Sequence, residues 1–219
     1  GLTLENVVME KSFSGNTGRI GGIMAHEGSD TFFTVTATKI TLAPKIDARN
    51  NEDFSGFITY MNNVDVELSD IVLGGSLQSQ HSGWCGGFLG RTWYWMRGTI
   101  QNITVKPDTA INVAGRGAGL VFTIESASNQ YITLKNVNLK NLSMTAKAES
   151  AFLAVNGQNL AANIEDYSCE GANVNVNGSF DEVIFVTKAG TKTGIISLHS
   201  SEHDFPEYVY KNQANYAGT

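Results

Sequence analysis

The feature that most constrains the fold of this 219-residue chain is an internal repeat with a period of about 32 residues. One marker is a polar residue followed by an apolar or aromatic one. A second marker, a small residue followed by an apolar one, recurs with the same period and in phase with the first. The first occupies Asn6-Val7, Lys39-Ile40, Asp70-Ile71, Asn102-Ile103, Asn136-Val137 and Asp166-Tyr167; the second occupies Gly22-Ile23, Gly56-Phe57, Gly87-Phe88, Gly119-Leu120 and Ala151-Phe152. Two independent markers in one phase indicate a structural repeat.

Each repeat unit contains short runs that are typical of β-strands. Residues 33–36 and 64–68 alternate apolar and polar side chains, which is the pattern of a strand with one buried face. Before such runs we predict turns, for example at Asn62-Asn63 and at Arg91-Thr92. After them come the most variable segments, such as residues 44–53, which we expect to form an irregular edge.

A unit of two to three short strands cannot bury its apolar side chains alone, but stacked units can. Parallel pairing between successive units would place equivalent strands about 4.8 Å apart. The sequence therefore predicts an all-β fold, a right-handed parallel β-helix of about six irregular coils over residues 1–202. Residues 203–219 would form a capping or linker tail. Glycine markers suit sharp corners because they have no Cβ that would clash there. Asn or Asp markers suit stacked polar turns, because these side chains tolerate the left-handed region and hydrogen-bond to nearby backbone.

Composition narrows the possible partners. The net charge is −6 and the pI about 5.2, which disfavours nucleic acid and anionic membranes as partners. No apolar run is long enough to suggest a membrane span. The two cysteines, Cys85 and Cys169, match no metal motif and are too few for a disulfide framework. We expect no cofactor, no metal and no membrane insertion. Because the chain begins at Gly1 without a signal peptide, we also expect a module of a larger multidomain protein.

The third unit resembles a known repeat. Its residues Gly86-Gly87-Phe88-Leu89-Gly90, Gly98-Thr99-Ile100 and Asn102-Ile103 are similar to the GLUG repeat of bacterial secreted and surface proteins. The full motif occurs in this unit alone; the others keep the period and both markers but lack the middle glycine. The resemblance implies a secreted or cell-surface bacterial β-helix. It implies no catalytic residue.

An aromatic insert in the third unit is the strongest candidate binding feature. Trp93, Tyr94 and Trp95 occupy positions where other units carry small polar residues. Flat aromatic rings pack against the apolar faces of sugars, so the insert suggests a glycan or protein contact; packing within the fold is the alternative. Further contacts are expected next to the insert and on the variable edge. Those candidates are Arg91, Asp47, Arg49, Asp53, His81 and Arg116.

These observations favour a non-catalytic module that binds a glycan or a host protein and acts as a rigid spacer. The alternative is a carbohydrate-active β-helix enzyme, either a polysaccharide lyase or a glycoside hydrolase. That enzyme needs carboxylates from neighbouring coils to meet in one groove. The acidic residues that cluster on the variable edge and the strand beside it are Asp47, Glu52, Asp53, Asp65, Glu67 and Asp70.

Two other readings are weaker. His199-Ser200-Ser201-Glu202-His203 has the spacing of an inverted zinc-peptidase motif, but a strand-like run precedes it and Pro206 follows closely. We therefore assign no metal site there. An ice- or crystal-binding solenoid requires a flat Thr array, and our alignment of the units shows no Thr recurring at one position.

Overall fold

In a computed structural model of the chain, the described residues are 1–15, 19–24, 33–48, 53–79, 84–87, 89–114, 116–118, 130–139, 141–146, 150–151, 154–155, 160–168, 173–176, 185–186, 196–199 and 210–211. Within these residues every regular element is a β-strand, and every strand pair is parallel. The predicted all-β class is therefore confirmed. No helix in the described part of the chain is long and apolar enough to cross a membrane.

The largest sheet, here the main sheet, contains eight strands. They are β1 (Leu2–Glu5), β2 (Val8–Met9), β5 (Phe33–Leu42), β8 (Ile58–Leu73), β11 (Leu89–Val105), β14 (Gln130–Asn138), β18 (Leu160–Ser168) and β21 (Ile196–His199). Its spatial order is β1-β5-β8-β11-β14-β18-β21, with β2 also beside β5. Chain order and spatial order are thus the same.

Three smaller sheets take up the remaining strands. The second sheet holds β4 (Arg19–Gly21), β7 (Asp53–Ser55), β10 (Trp84–Gly86), β13 (Arg116–Ala118) and β16 (Ser150–Ala151). The third sheet holds β3 (Ser12–Gly15), β6 (Lys45–Ala48), β9 (Ser76–Ser79), β12 (Thr109–Val113), β15 (Leu142–Ala146) and β19 (Asn173–Val176). The fourth sheet joins β17 (Ala154–Val155), β20 (Phe185–Val186) and β22 (Tyr210–Lys211), the last of which lies within the predicted tail.

The repeat period is also the pairing period. From β4 to β12 the chain visits the second, main and third sheets in the same cyclic order three times. Paired residues in neighbouring strands are therefore one repeat apart, as in Asp65 with Arg97. The backbone of a strand hydrogen-bonds to equivalent strands of neighbouring units. Pairing through a hairpin within one unit is therefore not required.

Alternation along the main-sheet strands builds the core. Val64, Val66 and Leu68 of β8 are buried, whereas Asp65 and Glu67 between them face outward. The paired inward positions are apolar in β5, and in β11 all except Gly98 carry an apolar side chain, so apolar side chains stack in columns. The bulkiest fully buried side chains are Phe54, Phe57, Ile40, Leu42, Ile46, Ile58 and Met61. Full burial of each such side chain contributes roughly 1.5–3 kcal/mol.

The first marker of the repeat forms a corner within the main sheet, which we call the asparagine corner. Its residues have positive φ: Asn6 55°, Lys39 54°, Asp70 55°, Asn102 55° and Asn136 50°. The side chains of the last three of them also stack, since Asn136 Nδ2 donates to Asn102 Oδ1 at 3.0 Å and Asn102 Nδ2 donates to Asp70 Oδ1 at 2.9 Å. The predicted polar stack is confirmed for these residues.

The second marker forms a different corner, between the second and main sheets, which we call the glycine corner. Gly22 and Gly56 pack backbone on backbone: a Cβ at Gly22 would lie 2.0 Å from the Gly56 carbonyl oxygen. The Gly56 N–H donates to the Gly87 carbonyl oxygen at 2.9 Å. Glycine is needed here for close approach, as predicted.

Two local expectations are wrong. The turns predicted at Asn62-Asn63 and at Arg91-Thr92 lie inside the continuous strands β8 and β11. The variable edge predicted for residues 44–53 contains the regular strand β6 and begins β7. Polar residues in these segments suggested turns, but parallel pairing on both sides satisfies the backbone and so favours strands.

Candidate functional site

The aromatic insert coincides with an irregularity in the main sheet. Thr92 of β11 pairs with Met61 of β8, and Trp95 pairs with Asn63. Two residues, Trp93 and Tyr94, therefore oppose one residue of β8, which is a β-bulge. Among the strand pairs that the structure describes, this is the one break in register. Bulges concentrate beside binding and active sites because they redirect a side chain.

An ion pair lies on the outward face a few residues beyond the bulge. The Arg97 Nε and Nη2 groups donate to the two carboxylate oxygens of Asp65, with Nη2 to Oδ2 at 3.1 Å. The guanidinium is half exposed and the carboxylate less so. The hydrogen bond to Asp65 raises the pKa of Arg97 above its ordinary value. The guanidinium thus stays charged and makes a planar two-point contact with the carboxylate.

A column of hydroxyl side chains runs beside this ion pair. The register places Thr3, Thr36, Glu67, Thr99 and Thr133 side by side across five strands of the main sheet. Our statement that no Thr recurs at one position is therefore wrong. Glu67 interrupts the column, and Asp65 and Arg97 flank it. Charged groups at the centre break the regular hydroxyl array that an ice-binding face needs.

Asp53 does not lie on an exposed edge as predicted. Its side chain is 3% exposed and accepts a hydrogen bond from Arg19 Nε at 3.1 Å. The Arg19 guanidinium also stacks over the Tyr60 ring, 4.1 Å from its centre. Burial with a paired cation makes Asp53 a packing element of the second sheet, because an unpaired buried carboxylate would be costly.

The other predicted contact residues are spread over three sheets. Arg91 shares β11 with the aromatic insert, and its Cα pairs with that of Tyr60. Asp47 belongs to β6 in the third sheet, and Arg116 belongs to β13 in the second. Arg49 and His81 lie outside the described residues. The structure therefore brings together Arg91, Trp93, Tyr94 and Trp95 along one strand, and separates Asp47, Asp53 and Arg116 from them.

Four of the six carboxylates proposed for an enzyme lie in three places; of the other two, Asp47 lies in the third sheet and Glu52 lies outside the described residues. Asp53 is buried in the second sheet, and Asp70 lies at the asparagine corner, where Asn102 donates to it. Asp65 and Glu67 face outward together, two residues apart on β8, as predicted. Asp65 is already engaged by Arg97. A carboxylate pair for hydrolysis would thus have to form around Glu67 and an Asp65 bound to a cation.

Possible metal ligands are not grouped in the described part of the chain, where no cluster of three or more His, Cys, Asp or Glu side chains occurs. His199 ends the strand β21 and so does not begin a helix. Glu202 and His203 of the zinc-like motif lie outside the described residues.

Sequence reasoning missed Arg97, Arg19 and Tyr60. The signal for Arg97 was available, because it lies one repeat period after Asp65. Arg19 lies one repeat before Asp53, and the same reasoning would have paired them.

Comparison with protein-family models, with curated proteins and with solved structures gave no match for this chain.

Proposed function

We propose that this chain is a right-handed parallel β-helix module that binds a ligand on the outward face of its main sheet. The recurring order of second, main and third sheets supports a helix of about six coils, with one coil for each repeat unit. Right-handedness follows from the strong general preference for right-handed crossovers between parallel strands.

The observation that carries the binding proposal is the bulge at Trp93 and Tyr94. A regular solenoid gains nothing from an extra residue in one coil, because the ladder is locally broken there. The extra residue falls within the one Trp-Tyr-Trp run of the chain. Arg97 and Asp65 follow on the same strand pair and supply hydrogen-bonding groups. Aromatic residues that precede such groups on one strand suit a glycan or a host-protein surface.

We propose further that the module is non-catalytic and belongs to a larger secreted or cell-surface bacterial protein. The support is the GLUG-like repeat of the third unit, together with the small fraction of charged residues, 16%, and the high content of Asn, Ser and Thr. A stacked solenoid has little freedom to bend, so the module would also space its neighbours apart.

A glycan array probed with wild type and with Trp93→Ala tests the proposal. We expect the substitution to weaken binding by about thirtyfold, the effect of truncating a tryptophan at the centre of an interface. Trp84→Ala, which removes a tryptophan from the second sheet, is the matched control and should retain binding. Circular dichroism melting of each variant checks that it is folded. Equal binding by the wild type and Trp93→Ala, or no binding by either, would contradict the proposal.

A further inference from the structure

The outward face of the main sheet is polar on the three strands that surround the ion pair of Asp65 with Arg97. The outward positions of β5, β8 and β11 that immediately precede the asparagine corner form a surface that we call the polar face. It consists of Thr34, Thr36, Thr38, Asp65, Glu67, Ser69, Arg97, Thr99 and Gln101. Neighbouring positions are about 4.8 Å apart across the strands and about 6.6 Å apart along them. The polar face is thus a regular array of hydrogen-bonding groups.

The composition of the polar face distinguishes between a glycan and a protein as the ligand. The centre of a protein–protein interface is depleted of charged side chains and enriched in aromatic ones. The polar face has three charged side chains, and its other side chains are hydroxyls and one amide. Sugar hydroxyls can both donate to and accept from such groups. The polar face therefore favours a glycan over a host protein.

Two of the three rows of side chains across the polar face already form internal hydrogen bonds. Arg97 donates to the Asp65 carboxylate, and in the row next to the asparagine corner Ser69 Oγ donates to Thr38 Oγ1 at 3.0 Å. The middle row consists of Thr36, Glu67 and Thr99, which are in register on adjacent strands. No other described residue forms a hydrogen bond or an ion pair with these three side chains. The middle row is therefore the part of the face whose polar groups can bind a ligand without losing an internal partner.

Glu67 determines the charge of the middle row. Its carboxylate is exposed and lies between the partly exposed side chains of Thr36 and Thr99. Within the polar face Arg97 balances the charge of Asp65, and no cation balances that of Glu67. An ionised carboxylate accepts short, strong hydrogen bonds from hydroxyl groups. It also repels a second anion that lies within a Debye length, about 8–10 Å at ordinary ionic strength.

We propose that the ligand is a neutral glycan and that Glu67 determines this specificity. The Glu67 carboxylate accepts hydrogen bonds from sugar hydroxyls, and the Thr36 and Thr99 hydroxyls bind the sugar hydroxyls on either side. Glycans that carry carboxylate or sulfate groups are repelled by the same charge. The inference rests on the proposed function, because it names the class of ligand that the module binds.

Pairs of oligosaccharides that differ only in charge test the inference. The wild-type protein is titrated with hexose oligosaccharides and with the oligosaccharides of the corresponding uronic acids, and the dissociation constants are compared within each pair. We expect the neutral member to bind about tenfold more tightly. Equal or tighter binding of the uronic acid member would overturn the inference and leave the proposed function standing. No binding of any member of the panel would contradict the proposed function itself, and the inference with it.

Glu67→Gln keeps the size of the side chain and removes its charge. We expect this variant to bind uronic acid oligosaccharides about fivefold more tightly than wild type, and neutral ones about threefold more weakly. Asp108→Asn changes the net charge equally in the turn between β11 and β12, outside the polar face, and should bind both like wild type. No gain in uronic acid binding from Glu67→Gln, or an equal gain from Asp108→Asn, would overturn the role of Glu67.

The hydroxyl contact has a matched control on the same strand. Thr99→Val replaces a hydroxyl of the middle row with a methyl group of similar size, and we expect neutral oligosaccharides to bind about fivefold more weakly. Thr104→Val makes the same exchange at an exposed position beyond the asparagine corner and should bind like wild type. Circular dichroism melting verifies that each variant is folded. Unchanged binding by Thr99→Val, or an equal loss in the two variants, would contradict a ligand contact at the middle row.

Discussion

The asparagine corner and the glycine corner turn the same chain by different physical means. At the asparagine corner the backbone takes positive φ, and side chains such as Asn102 hydrogen-bond from one repeat unit to the next. At the glycine corner the requirement is space, because the backbone at Gly22 lies against the Gly56 carbonyl. The asparagine corner accommodates several residue types at moderate cost, whereas the close approach at Gly22 leaves no room for a side chain.

The largest effect is expected at the glycine corner. Gly22→Ala would place a Cβ 2.0 Å from the Gly56 oxygen and 2.6 Å from Met9 Cε, so backbone must move. We expect destabilisation at the upper end of the roughly 1–3 kcal/mol typical of overpacking. Urea unfolding measures it. Gly56→Ala is the graded comparison, since its Cβ meets the Gly87 oxygen at 2.9 Å. Equal destabilisation in the two variants would show that close approach does not determine the residue at this corner.

A smaller effect is expected at the asparagine corner. Asn102→Ala keeps a Cβ in the left-handed region, which costs about 1–2 kcal/mol, and removes two exposed side-chain hydrogen bonds. Asn102→Gly removes the same hydrogen bonds without the conformational cost. We expect the alanine variant to be the less stable of the two in urea unfolding. Equal losses of stability in the two variants would show that the side-chain hydrogen bonds, and not the φ angle, determine the effect of the substitution.

The one lysine of the asparagine corner offers a stabilising change. Lys39 has φ 54°. Its side chain forms an exposed ion pair, with 3.7 Å between Lys39 Nζ and Glu5 Oε1, where Asn102 forms amide hydrogen bonds to neighbouring units. Lys39→Asn should stabilise the protein by about 0.5–1 kcal/mol, because Asn suits the left-handed region. Thermal melting provides the measurement. Lys39→Gln is the control, since it removes the charge without that conformational preference. A gain in both variants would point to charge rather than conformation.

The smallest effect is expected where the main sheet turns into the third sheet. There the Lys106 side chain passes over Gly74, where an added Cβ would lie 3.1 Å from Lys106 Cδ. Lys106 Nζ donates to Glu10 Oε1 at 2.6 Å. The hydrogen bond to Lys106 lowers the pKa of Glu10 below its ordinary value of 4.5. A carboxylate whose pKa is lower in the folded state stabilises the fold at pH values above its unfolded-state pKa. This stabilisation is lost as the pH falls through the folded-state pKa.

We therefore expect the melting-temperature difference between wild type and Lys106→Met to be small at pH 7 and smaller at pH 3. Both side chains are substantially exposed, so solvent screens the pair. Glu10→Gln should remove the pH dependence of that difference. A difference that grows as the pH falls would have the wrong sign for this ion pair.

Much of the architecture was predictable from particular residues. The spacing of Asn6, Lys39, Asp70, Asn102 and Asn136 indicated both the period and the polar corner, because few residue types tolerate positive φ. Alternation in residues 64–68 identified the buried face of β8. Such features depend on local chemistry, which each repeat unit carries by itself.

The candidate site was less predictable, because it depends on neighbours from other units. Sequence alone identified Trp93, Tyr94 and Trp95 as unusual, but it placed them at a turn rather than beside a bulge in a continuous strand. It also left Asp53 exposed, whereas Arg19 from the preceding unit encloses it in an ion pair. Both errors arose because the decisive contacts are made by residues of a neighbouring repeat unit.

The sequence by itself determined the period, the all-β class, the inward face of the strands and the two kinds of corner. Only the tertiary structure decided the register of Asp65 with Arg97 and the burial of Asp53. The physical reason is that a strand satisfies its backbone and its charges through partners that lie a whole repeat away along the chain. The repeat period gives the separation of those partners along the chain, and the stacking of the units determines which atoms come into contact.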